Sequence, residues 1–90
     1  MKKIAKLPIK KQWFDMILSG QKKEEYREIT PYWEARLAGA THIEIRNGYG
    51  AHRPAAVFEV ADIRRGEGKP EWGAEPGVEY FVIRISFAKL

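Results

Sequence analysis

The chain has 90 residues, 44% of them apolar and 31% charged, with a net charge of +4 and no cysteine. That is enough for one compact domain with little core to spare. It excludes a disordered chain, a disulfide scaffold, a thiolate zinc site and a cysteine nucleophile.

No apolar run has the length of a membrane-spanning helix. Lys10 and Lys11 interrupt the apolar residues behind the basic start, so neither a signal peptide nor a membrane partner is expected. The charge is unevenly placed: residues 1–27 carry eight basic groups against three acidic ones, and the remainder has eight against nine. Such an asymmetry suits an anionic partner, RNA or a nucleotide-like ligand; a solubilising lysine face is the alternative.

Lys3 to Ile9 reads as a strand with Ala5, Leu7 and Ile9 on one face, and Pro8 makes it an edge or ends it. From Lys10 the period becomes helical, with Trp13, Phe14, Ile17 and Leu18 in one stripe and Gly20 at the left-handed C-cap position. Lys22 to Ile29 is then extended, polar and partly exposed. Thr30-Pro31 starts a second short helix, with Trp33 and Leu37 on one side and Gly39 closing it.

Thr41 to Arg46 alternates, Ile43 and Ile45 inward against His42, Glu44 and Arg46 outward, and Asn47-Gly48-Tyr49-Gly50 is a turn with a hairpin signal. Ala55 to Arg64 is a strand carrying Val57, Phe58, Val60 and Ile63. Gly66 to Gly77, rich in glycine, proline and glutamate, is a long mobile connection with one helical turn. The final strand sets Phe81, Ile83, Ile85 and Phe87 on one face and Tyr80, Val82, Arg84 and Ser86 on the other. This order predicts a single α+β domain over residues 1–90. About five short strands close into a small β-barrel, plugged or flanked by two short helices.

The residues most suggestive of a site follow the first helix: Gly20-x-Lys22-x-x-Glu25-x-Arg27. On a regular strand Lys23, Glu25 and Arg27 share a face, so Lys22 joins Glu25 and Arg27 only if a turn or bulge after Gly20 re-aims it. Arginine then offers a fork for phosphate or a carbonyl, lysine a compact charge, and glutamate an acceptor for a base or sugar hydroxyl. A surface ion-pair ladder is the competing reading.

Tyr26, Tyr49, Trp13 and Trp72 are candidates to stack on a base, with Trp13 better placed in the core and Tyr49 on a glycine-flanked turn. Arg46 and Arg84 reach either a barrel mouth or solvent. His42 and His52 have no expected catalytic role and cannot alone build a zinc site, so no metal and no cofactor are expected.

The same motif, behind a short helix carrying Trp13 and Ile17, resembles the signature of the ASCH domain. That family is named for homology to the activating signal cointegrator-1 protein and is related in fold to the PUA RNA-binding domains. The resemblance covers the whole chain. It implies a PUA-like barrel of the cytoplasm with a basic cleft between the first helix and second strand. RNA or a nucleotide-like ligand would bind there, with Lys22, Glu25 and Arg27 lining the cleft and Tyr26, Arg46 and Tyr49 near it.

Some members are similar to an amidohydrolase acting on N4-acetylcytidine, with a lysine, a threonine and a distant glutamate as catalytic groups. Lys22 holds the lysine position and Glu25 stands in place of the threonine. Carboxylate attack on an amide would give an anhydride rather than an ester. Lys22 and Glu25 are thus the catalytic candidates of a second reading, a small hydrolase, ribonuclease included, with Glu71, Glu75 or Glu79 as the distant carboxylate. A regulatory protein-interaction module is the third.

Overall fold

A computed structural model describes residues 1–87. Five strands form one mixed sheet: β1 (Ile4–Ile9), β2 (Glu24–Arg27), β3 (His42–Asn47), β4 (Ala55–Glu67) and β5 (Glu79–Ser86), in the order β1-β3-β4-β5-β2. Only the β1–β3 pair is parallel, as the connection through α1 (Lys11–Leu18), β2 and α2 (Pro31–Leu37) requires; the other three pairs are antiparallel. The protein is therefore a small α+β fold with two helices.

Alternation builds the core as expected, except that Phe87, expected on the inner face, is exposed beyond the end of β5. Ala5, Leu7 and Ile9, Ile43 and Ile45, and Phe81, Ile83 and Ile85 bury one face of the sheet against Phe14 and Ile17 of α1 and Leu37 of α2. Successive helical residues are about 100° apart, so a buried face centred on Phe14 and Ile17 leaves Leu18 at its flank. Leu18 is exposed, against expectation. Gly20 ends α1 at φ +84°, with its N–H donating to the Ile17 carbonyl. The Thr30 hydroxyl caps α2 by accepting from the Trp33 N–H at 3.2 Å, with Pro31 behind it.

Two boundaries differ from the sequence reading. β4 runs to Glu67, where Gly66 pairs with Tyr80, so the connection to β5 begins at Gly68 and carries a single 3-10 turn at Pro70–Trp72. Val82 is fully buried although it sits on the outer face of β5. The connection lies over that face: the Glu75 N–H donates to the Tyr80 hydroxyl, and Tyr80 packs against Tyr26.

The ladder does not close. β1 and β2 remain its two edges, and a register shift between Val60 and Asp62 marks a bulge that bends β4. A side chain spans the seam instead: Arg27 of β2 donates through Nη2 to the Pro8 carbonyl of β1 at 3.0 Å. No helix among the described residues is long and apolar enough to cross a membrane.

Candidate functional site

The turn after α1 re-aims Lys22, as the motif requires. Its N–H donates to the Met16 carbonyl at 3.0 Å, which folds the chain back under the helix before β2 begins at Glu24. The Lys22 side chain is 1% exposed. Its ammonium donates to the Trp72 carbonyl at 2.6 Å and stands 3.2 Å from Glu25 Oε1. The rings of Trp13 and Tyr26 flank it, 5.2 and 4.8 Å from Nζ to their centroids. Burial lowers the Lys22 pKa from its ordinary value, and Glu25 opposes that shift. The expectation that Lys22 is partly exposed is therefore corrected.

Glu25 and Arg27 face the core side of β2, opposite Ile83 and Phe81. Arg27 Nη2 donates to Glu25 Oε2 at 2.6 Å, so each carboxylate oxygen has one cation. The guanidinium carbon lies 4.9 Å from the Trp33 ring centroid. Arg27 Nε is buried with no acceptor among the described residues. A cavity of about 420 Å³ opens at this seam, with Glu25, Arg27 and Trp13 lining it along with Pro8–Lys10 and residues 47–49. Its size is that of a small-ligand pocket.

The structure thus brings Lys22, Glu25 and Arg27 together, with Lys22 behind Glu25 and outside the lining. Tyr26 turns to the other face. Its hydroxyl donates to Glu24 Oε1 at 2.8 Å and accepts from the Lys69 N–H at 3.0 Å, and burial pushes its pKa well up. Tyr49 is exposed on the pocket rim.

Arg46 lines the neighbouring hollow and holds its own loop, donating to the Ala51 and Arg53 carbonyls and to Glu44. Trp72 contributes its carbonyl to Lys22, while its ring sits under Lys69. Arg84 pairs with Asp62 on the outer face. Glu71, Glu75 and Glu79 are exposed and none lines the pocket.

Sequence reasoning passes over Lys10, Trp33 and the Pro8 carbonyl. Lys10 could have been found as the charged residue at the strand-to-helix junction facing the motif; a backbone carbonyl across a sheet seam leaves no sequence signal. No protein-family model, no curated protein and no solved structure matches the chain.

Proposed function

We propose that this chain is an ASCH-type, PUA-like domain of the cytoplasm that binds RNA or a nucleotide-like ligand in the seam pocket. The observation that carries this reading is the floor of that pocket. A carboxylate and a guanidinium sit side by side at the edge of an apolar core, between Trp13 and the exposed Tyr49. Each Glu25 oxygen keeps a lone pair beyond its bond to Lys22 or Arg27, so Glu25 can accept from an amino or hydroxyl group. Arg27 uses Nη2 for both Glu25 and Pro8, which leaves Nη1 without a protein partner among the described residues, available to a base carbonyl or phosphate. The aromatic walls suit a flat heterocycle. In this reading the fold is a barrel whose missing rungs between β1 and β2 are replaced by the Arg27–Pro8 bond and the ligand.

Binding ranks above hydrolysis because Lys22 stands outside the lining with its ammonium already held by Trp72 and Glu25. The test is isothermal titration with the nucleoside 5′-monophosphates, N4-acetylcytidine and single-stranded RNA, with turnover followed in the same samples. Saturable binding is expected, weakened tenfold or more by Glu25→Gln, since a hydrogen bond to a charged group is worth about 1.5–3 kcal/mol. Absence of saturable binding to any of them overturns the reading. Turnover of N4-acetylcytidine or RNA would replace it with the hydrolase, and a co-purifying protein without nucleotide binding would replace it with the interaction module.

A further inference from the structure

Three hollows lie side by side along β1 and share Pro8: the seam pocket of 420 Å³, one of 250 Å³ beside Arg46, and one of 540 Å³ between β1 and α2. Six basic side chains line them (Lys3, Lys6, Lys10, Arg27, Arg36 and Arg46) against two carboxylates, Glu25 and Glu44. That excess equals the net charge of +4 of the whole chain.

Both carboxylates are already taken by an arginine. Lys6, Lys10 and Arg36 are exposed and have no acidic partner among the described residues. Elsewhere Lys11, Arg64, Arg65 and Arg84 each face a carboxylate. Lys6, Lys10 and Arg36 thus share one concave strip, whereas Lys2, Lys23, Arg53 and Lys69, which also have no acidic partner among the described residues, line none of these three hollows.

Two exposed tyrosines punctuate that strip. Tyr49, 84% exposed, stands between the first and second hollows. Tyr32, 56% exposed, lines the third, with the Arg36 guanidinium 4.0 Å from its ring centroid. Cations without an acidic partner, interleaved with exposed aromatic rings, suit a single strand: phosphates neutralise the cations, and unpaired bases stack on the Tyr49 ring and on the side of the Tyr32 ring away from Arg36. β1 alone rises roughly 20 Å, well beyond what a single nucleotide covers.

We infer that the ligand is single-stranded RNA several nucleotides long, with one base in the seam pocket and the flanking backbone following β1 over Lys10, Lys6 and Arg36. This rests on the pocket reading above but commits it to a polymer. An octamer of mixed sequence should bind at least tenfold tighter than the best nucleoside monophosphate. With three phosphate contacts it should lose about twentyfold in affinity between about 50 and 200 mM salt. The double variant Lys6→Ala, Arg36→Ala changes only exposed side chains outside the seam pocket. It should reduce that salt dependence to about threefold and leave monophosphate binding unaltered.

An octamer that binds no tighter than the monophosphate overturns the inference and leaves the pocket reading standing. So does a salt dependence that the double variant does not change, or equal affinity for the octamer annealed to its complement. If neither monophosphate nor octamer binds, the pocket reading itself fails.

Discussion

The sequence contains the tripeptide pattern Glu-x-Arg twice on strands, at Glu25-Tyr26-Arg27 of β2 and Glu44-Ile45-Arg46 of β3. In both the arginine reaches back to its glutamate, at 2.6 and 2.7 Å. Their surroundings differ by strand phase. Glu25 and Arg27 share the core face with Ile83 and Phe81, whereas Glu44 and Arg46 alternate with the buried Ile43 and Ile45 and so lie outside. The inner pair has a third charge, Lys22, and a bond across the seam; the outer pair has two carbonyls of its own loop. The same local chemistry is thus a loop staple on one strand and the floor of a pocket on another. Which face the strand turns inward, and what folds over it, decides between them.

The largest contrast should come from removing the two glutamates. Glu25→Ala leaves the ammonium of Lys22 and the guanidinium of Arg27 facing each other with no carboxylate between, and breaking such a buried pair costs about 3–5 kcal/mol. Glu44→Ala removes a more open pair whose arginine keeps two carbonyl acceptors, and should cost no more than about 1 kcal/mol. Urea denaturation of both variants reads the difference. If Glu25→Ala does not fold, Glu25→Gln, which keeps the shape and one acceptor, should still be the less stable of the two glutamate variants. Equal costs would mean that burial does not separate the pairs.

Much of this arrangement is legible in the sequence because the signals are local. Thr30-Pro31, Gly20 and Gly39 mark helix ends through capping and positive φ, and β1, β3 and β5 announce their inner faces by alternation. The motif itself locates the pocket floor. What is not legible is the depth of Lys22, because its cover arrives from about fifty residues away. The Trp72 carbonyl, Gly68 against Tyr26 and Gly73 against Trp13 are contacts of the β4–β5 connection. A polar stretch read alone gives no sign of them. The buried outer-face Val82 has the same origin. Arg46 is readable as a polar strand residue, but its acceptors lie in the loop of residues 48–54, which is longer than the Asn-Gly signal suggests.

That cover can be lifted in a graded way. A Cβ at Gly68 would fall 2.6 Å from the Tyr26 ring and 2.7 Å from the Ala74 Cβ, so something must move. Overpacking of this kind costs about 1–3 kcal/mol. Gly77, at φ +79° with nothing within 4 Å, is the control in the same connection: Gly77→Ala carries only left-handed backbone strain of roughly 1 kcal/mol. If the connection is what makes the inner pair differ from the outer one, Gly68→Ala should also reduce the cost of Glu25→Ala, and Gly77→Ala should not. A double-mutant cycle by urea denaturation measures both. An unchanged cost in the Gly68→Ala background would separate the connection from the burial of the charges.

The subtlest distinction is a slope in pH. Burial lowers the Lys22 pKa from its ordinary 10.5, so between its folded and ordinary values the unfolded chain binds more protons than the native one. Stability therefore rises with pH across that window. Tyr26 acts oppositely. Burial raises its pKa, so the stability it contributes is present below its ordinary 10.0 and lost above it. Lys22→Met keeps Tyr26 and fills the space beside Trp13 with an unbranched apolar chain, so subtracting its stability from that of the wild type isolates the lysine. The wild type should gain on the variant as pH rises towards 10. A flat difference for Lys22→Met would mean that Glu25 offsets the burial of the ammonium in full. Depth alone would then not make the inner cluster costly, and what sets it apart from the outer pair would be its cover rather than the charge it buries.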